Sequence, residues 1–508
     1  MGAIVGIDLG TTYCAVAYVN ALGKPEIIPN REGERITPSV VLFQGDSPLV
    51  GSMAKRSAPT CPSDCAQFVK RQMGDAAWRF VTSANESFTA EQVSAIILKR
   101  LVEDAAMFLG EPVTDAVITV PAYFDDARRR ATIDAGEIAG LNVRRVLNEP
   151  TAAALSYGLD TQESGTFLVY DLGGGTFDVT VMHVTDATFD VLATDGDRNL
   201  GGFDWDNVLI SMINDKAMAE GSRDLLEDDS LTAELRDKAE LAKRTLSTME
   251  QTKVFPTVDG SSYQIPVSRS EFQEATADLL LRTEMLVQMV MEAADLTMDQ
   301  IDQVLLVGGS ARMPAVQELV RKMTGKEPAR SVNPDEAVAL GAAVQAHILA
   351  ADEAPGVLPE LHGASSGTPV ILDVTSQSLG IVALNEFQVE TNSIIISRNS
   401  KVPVKKGEMF STVMHDQTEL SVRVTEGDDE DLEYVTFIGE SLLTIPAYPK
   451  GAPIQVILSY DFDGMIHVEV IDSTSGLPLG EFEIDRVANL SPEQRDIMRS
   501  SMKSISVN

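Results

Sequence analysis

Two stretches of this chain join an aspartate to a turn of glycine and threonine between β-branched runs. They are Ile4 to Val19, IVGIDLGTTYCAVAYV, and Tyr170 to Met182, YDLGGGTFDVTVM. The flanks have the alternation of strands. The glycines let the backbone turn tightly and approach a ligand closely, and successive N–H groups in such a turn form an anion-binding concavity. Two of these turns, carrying Asp8 and Asp171, are suited to hold a polyphosphate and its magnesium between two lobes. The chain has no GxxxxGK[ST] phosphate loop. A dinucleotide fingerprint opens a helix, whereas Gly175 runs into Thr176, Phe177, Asp178, Val179, Thr180 and Val181, an alternating strand. The phosphate site therefore sits in β-hairpin turns.

The elements that must position these turns form a repeated plan. The 508 residues are enough for several domains. Residues 1 to about 165 mix strands with helices expected over Val93–Leu109 and Asp125–Ala139. Residues 166–350 repeat the pattern and end in QVLLVGGSARMP: a strand to Val307, a turn at Gly308 and Gly309, and Pro314 in the first turn of a helix. The expected fold is an α/β domain of two similar lobes across a cleft (residues 1–350), followed by an all-β domain. A Pro-, Gly- and Ser-rich linker occupies 351–373. In the all-β domain, 374–488, Leu420, Val422 and Val424 alternate with polar residues, and Asp463-Gly464 marks a hairpin turn. Residues 489–508 read as the start of a truncated helix, with a capping box at Ser491 and Gln494.

Several classes are excluded. A net charge of -36 argues against a nucleic-acid binder. No apolar run approaches the roughly 18 residues of a membrane span, and no basic segment precedes an apolar one at the N-terminus, so the expected location is cytoplasmic. Three cysteines make no disulfide framework. Cys61 and Cys65 lack a second ligand pair, and Cys14 reads as a small residue packed in a strand. The five histidines are scattered singly, which disfavours a histidine-centred triad. The acidic run 426–433, EGDDEDLE, reads as a solvated loop.

IDLGTTYCAVAY, ITVPAYFDDARRRAT, LNEPTAAALSYGL, DLGGGTFDVTV, VLLVGGSARMP and VNPDEAVALGAAVQA together resemble the DnaK-type heat shock protein 70 chaperones. The likeness is specific from Gly2 to about Val344 and looser beyond. It implies an actin-like, hexokinase-like ATPase domain, a linker, and a β-sandwich that holds extended apolar segments of unfolded proteins, worked by a J-domain co-chaperone and a nucleotide exchange factor. Carried over, Asp8, Gly10, Thr11, Thr12 and Tyr13 match the first phosphate loop, and Gly173, Gly174, Gly175 and Thr176 the second. Asp8 and Asp171 match the residues that hold Mg2+ through water; Tyr13 and Asp178, with those two, match positions that also hold K+. Glu149 matches the carboxylate on the attacking-water side and Lys70 the lysine that touches the transferred phosphate. Glu240, Lys243, Arg244 and Ser247 fall on the adenosine-binding helix, with one-face spacing. Gly201, Gly202, Gly308, Gly309, Ser310, Arg312 and Asp335 complete the cofactor set. Pro121, Arg129 and Asp373 match coupling residues, and Tyr123, Asp126, Arg145, Asn148 and Thr151 match surface positions near the linker and J-domain contacts. Val413, Leu420 and Val422 match the peptide pocket.

Departures from the family pattern accompany these matches. Pro369 stands where an apolar residue is usual and removes a donor, which weakens the expectation that the linker docks as an edge strand. The segment after Lys70 is shortened, the loop at about Asn385 to Ile394 reads as lengthened, and the helical lid is missing. The expected activity is ATP hydrolysis coupled to brief peptide binding. A non-hydrolysing nucleotide-binding scaffold and a small-molecule kinase on the same fold are the rival readings.

Overall fold

The computed structural model describes residues 2–508 apart from 46, 186, 331–332, 357, 364–366, 462–464 and 485–489. The Asp463-Gly464 turn thus lies outside the described residues.

The first lobe is built on a sheet of strands β1 (Ala3–Asp8), β2 (Tyr13–Val19), β3 (Pro25–Ile28), β4 (Val113–Val120) and β5 (Asn142–Asn148), in the order β5-β4-β1-β2-β3. Strands β1 and β2 form an antiparallel hairpin, and β4 runs parallel to β1 with Ile7 opposite Ile118. Helix α1 (Ala90–Leu109) is set by a capping box between Thr89 and Gln92 and ends at Gly110 in the left-handed region. Helix α2 (Asp126–Ala139) is capped by the Asp125 side chain, and α3 (Glu149–Thr161) starts with Pro150 in its first turn.

The second lobe repeats the hairpin. Strands β6 (Gly165–Leu172), β7 (Phe177–Thr185), β8 (Thr188–Asp197), β9 (Gln303–Val307) and β10 (Val370–Leu372) lie in the order β9-β6-β7-β8-β10. The helices of the lobes include α4 (Gly202–Ala219), α5 (Asp229–Thr248), α6 (Pro314–Thr324) and α7 (Ala337–Glu353). Helix α7 packs closely on β1 and α3. A Cβ on Gly341 would lie 1.8 Å from the Ala152 carbonyl oxygen in α3, and one on Gly6 would lie 2.0 Å from the Ala343 nitrogen. Only glycine permits these approaches.

Strand β10 is the linker. It adds to β8 in parallel, with Phe189 opposite Ile371, and Val370 N–H donates to the Ala187 carbonyl at 2.7 Å. Pro369 precedes the first paired residue, so its missing N–H removes no bond from the ladder. The edge strand forms despite it.

Beyond the linker, two four-stranded antiparallel sheets face each other. One runs β12-β11-β14-β15 and the other β13-β16-β17-β18, formed by β11 (Leu379–Leu384), β12 (Glu390–Ile396), β13 (Val404–Ser411), β14 (Gln417–Glu426), β15 (Thr436–Tyr448), β16 (Pro453–Tyr460), β17 (Ile466–Asp472) and β18 (Pro478–Glu483). Alternate residues of β16 and β17, Val456, Leu458, Val468 and Val470 among them, fill the shared core. The stretch read as a lengthened loop is a hairpin: β11 and β12 flank a turn at Asn385–Val389, where the Asn385 side chain accepts from Phe387 and Val389 N–H.

Helix α8 (Pro492–Ser504) has the expected Ser491–Gln494 capping box. It lies against α2 of the first lobe. Arg495 donates to Glu137 at 2.7 Å and lies 3.2 Å from Asp134, while Lys99 donates to the Met502 and Ile505 carbonyls.

Candidate functional site

Between the lobes lies a cavity of about 590 Å³. Of the candidate catalytic, metal-holding and cofactor-binding residues, all except Gly175, Asp178 and Gly201 line it. The two hairpin turns meet there. A Cβ on Gly174 would fall 2.3 Å from the Thr12 hydroxyl oxygen, and one on Gly175 would fall 2.5 Å from the Thr11 methyl. Gly201 closes on Gly175 from behind, with 2.5 Å between its would-be Cβ and the Gly175 nitrogen. The turns therefore interlock without room for a Cβ at these glycines, and their backbone and threonine hydroxyls border the space where phosphates would sit. Gly202 N–H fixes the second turn by donating to Gly173 at 3.0 Å.

The cavity floor concentrates buried charge. Lys70 forms an ion pair with Glu149, and each is under 10% exposed. Burial alone would lower the Lys70 ammonium, but Glu149 and Asp8 hold it above its usual value. Burial and Glu149 push both the Asp8 and the Asp178 carboxyls up to about 7. Asp171 is raised well above the aspartate range by burial, Glu149 and its own neighbours Asp178 and Asp8. Four carboxylates thus share one lysine, an excess of negative charge that a hard divalent cation would relieve. Among the described residues no three acidic, cysteine or histidine side chains converge on one direct metal position. This donor set fits a cation held largely through water and phosphate oxygens, as magnesium prefers.

The end of the cavity holding the residues matched to adenosine binding is framed by α5 and the turn after β9. Lys243 donates to the Gly202 carbonyl at 2.8 Å and pairs with Asp206 at 2.9 Å. Glu240 pairs with Lys55 at 2.5 Å and with Arg244 at 2.6 Å, and both cations also donate to the Tyr13 hydroxyl. Ser247 returns its hydroxyl to the Lys243 carbonyl. Gly308 adopts φ +78°, with its would-be Cβ 2.4 Å from the Leu172 oxygen. Ser310 is buried beside it, and Arg312 is held by Asp335 at 2.6 Å. Lys55, Phe68, Arg71, Phe203 and Arg236 were not foreseen. Lys55, Phe68, Phe203 and Arg236 line the cavity, while Arg71 donates to the Gly175 carbonyl at 3.0 Å. Each acts with partners far away in the chain, so no local spacing marks it.

The fold and this cleft define an actin-like ATPase with an appended β-sandwich. A model of the Hsp70 protein family matches residues 4–507. The chaperone protein dnaK3 of Thermosynechococcus vestitus is 43% identical over 507 residues, covering 94% of this chain and 72% of that relative. The chain belongs to the Hsp70 family. It is an ATP-dependent chaperone that binds and hydrolyses ATP, and, as the family implies, it works on unfolded peptides with co-chaperones. Among the described residues no helix is long and apolar enough to cross a membrane.

A polar chain runs from the cleft to the linker. Arg129 donates to Asn148 at 2.6 Å, and Asn148 donates to Asp373 at 2.9 Å. Asn148 immediately precedes Glu149, and Pro121, buried, directly follows β4. The surface reading of Asn148, Thr151 and Asp126 is corrected, since all three are buried. Asn148 is taken up by the linker aspartate, and Thr151 lies within the packed helix α3. Tyr123 and Arg145 are half-buried. The sandwich is fastened to the second lobe by Arg398, which pairs with Asp195 at 2.8 Å and donates to the Thr194 carbonyl at 3.2 Å. Of the pocket candidates, Val413 is exposed and Leu420 half-buried, whereas Val422 turns into the sandwich core at 2% exposure. A residue so placed makes no contact with a peptide on the outer face.

Proposed function

We propose that this chain couples ATP hydrolysis in the cleft to binding of apolar peptide segments by the sandwich, through the docked linker. The observation that carries the reading is the buried Lys70–Glu149 pair beside two interlocked glycine- and threonine-containing turns. In this reading Lys70 offsets charge developing on the transferred phosphate, and Glu149 orients the attacking water. Water adds to the γ-phosphorus, the bond to the ADP oxygen breaks, and the proton leaves with inorganic phosphate. Asp8 and Asp171 would hold Mg2+, which supplies charge neutralisation on the phosphates; Tyr13 and Asp178 would help hold K+. Residues 1–350 form the ATPase unit, 351–373 the linker, 374–488 the peptide unit and 489–508 the terminal helix.

Peptide binding is assigned to apolar side chains that the sandwich leaves in solvent, Met409 on one sheet, Phe437 and Leu442 on the other and Val413 between strands among them. Helix α8 is seated on the first lobe rather than over the sandwich, and a bound peptide would engage the sandwich through main-chain bonds and side-chain pockets. A J-domain protein and a nucleotide exchange factor are the expected partners, and the cytoplasm the expected location. Single-turnover ATP hydrolysis tests the reading. Hydrolysis that Lys70→Ala slows by about 10²–10³ supports it; the same rate in both proteins overturns it.

A further inference from the structure

The phosphate turns are gripped across the cleft by an aromatic and guanidinium cluster that the hydrolysis chemistry does not use. Phe68 adopts φ 57°, a left-handed conformation uncommon for a bulky residue. It introduces the short 3-10 turn Val69–Gln72, which directs Lys70 into the cleft. The Phe68 ring meets Phe203 of the opposite lobe edge-on, with centroids 4.6 Å apart and planes at 63°. Two guanidinium groups lie over the Phe203 ring: Arg71 at 4.7 Å and Arg236 at 4.4 Å, the latter also 5.7 Å from the Phe68 ring.

Two of the four, Phe203 and Arg71, are tied to the second phosphate turn. Phe203 N–H donates to the Gly174 carbonyl at 2.8 Å, and Arg71 donates to the Gly175 carbonyl at 3.0 Å and to Asp204 at 2.5 Å. Asp204 in turn accepts from Gly201 N–H at 2.8 Å. Phe68 and Arg71 belong to the first lobe, Phe203 and Arg236 to α4 and α5 of the second. The lobes cannot part at the phosphates without separating these rings.

We propose that Phe68 and Phe203, with Arg71 and Arg236, form a cross-cleft clamp that sets how long nucleotide stays bound. They are positioning residues: they act on the nucleotide by holding the second phosphate turn closed against the first lobe. The inference rests on the nucleotide reading of the cleft. The strained backbone at Phe68 fits this role, because such conformations persist where surrounding contacts hold them and cluster at functional sites.

The test is release of ADP carrying a ribose-linked fluorophore, chased by excess unlabelled ADP, from the full-length chain. Phe203→Leu keeps apolar volume but removes the ring, and Phe68→Ala removes the partner from the other lobe. Each is expected to speed release about tenfold, from the loss of one aromatic pair and its cation–π contacts. The double variant should be no faster than about the faster single one, because both remove the same contact. Phe203→Tyr, which keeps the ring, should release at nearly the wild-type rate. A release rate unchanged in both Phe203→Leu and Phe68→Ala, with nucleotide still bound, overturns the clamp alone. A wild-type chain that takes up no nucleotide overturns the cleft reading and the clamp together.

Discussion

The nucleotide cleft and the outer face of the β-sandwich invert each other's use of side chains. The cleft buries what is normally exposed: Lys70, Glu149, Asp171 and Asp178, with half-buried Asp8 beside them and the aspartate carboxyls pushed out of their ordinary range. The sandwich exposes what is normally buried, including Met409, Phe437 and Leu442, each more than half exposed. Buried charge is costly unless partners are placed well, so the cleft demands specific residues at specific positions. Exposed apolar surface requires only that something adaptable remain uncovered. A site for one ligand and a site for many sequences are therefore built to different tolerances.

Substitutions in the two regions sharpen this contrast. The largest effect is expected inside the sandwich, where Leu458 is fully buried. Leu458→Ala should cost about 2–5 kcal/mol of sandwich stability, whereas Met409→Ala on its surface should stay within about 0.5 kcal/mol. Denaturant melts of the two variants read the difference. Equal losses would mean that the exposed residues are packed and unavailable to clients.

In the cleft, Gly174→Ala drives a Cβ into Thr12. Overpacking of this kind typically costs about 1–3 kcal/mol, and here it should appear as weaker ATP binding by titration calorimetry. Unchanged affinity would show that the two turns do not need to interlock.

A smaller effect concerns α8. Burial raises the Asp134 carboxyl to about 7, with Arg495 opposing the shift. A raised carboxyl favours the neutral form in the docked state, so docking is strongest at low pH and weakens as pH rises through about 7. Arg495→Gln removes the opposing charge. Its α8 amides should exchange faster than wild type, by a larger factor at pH 8 than at pH 6 after correction for intrinsic rates. The same factor at both pH values would exclude Asp134 as the cause.

The same contrast explains what the chain disclosed before it was folded. Asp8, Asp171 and the glycines around them were legible because a tight turn against phosphate constrains the backbone locally, and that constraint is written as glycine. Lys55, Phe68 and Phe203 were not, because each gains its role from residues more than a hundred positions away. In the sandwich, period-two alternation located the strands but not their inner face. Val422 was read as a pocket residue, yet it points into the core. Which set of alternate residues is buried depends on the opposing sheet. Pro369 misled for a different reason: its missing donor lies one residue ahead of the strand it was expected to weaken.

The central claim is that the nucleotide state reaches the sandwich through Asn148, Asp373 and the docked linker strand. The most direct test is the dissociation rate of a fluorescent apolar peptide before and after ATP addition, in wild type and in Asp373→Ala. ATP should speed release in wild type by at least about fivefold, the lower end of ordinary coupling energies, and Asp373→Ala should abolish most of that acceleration. Peptide release indifferent to ATP in the wild-type chain, or equally accelerated in Asp373→Ala, would contradict it.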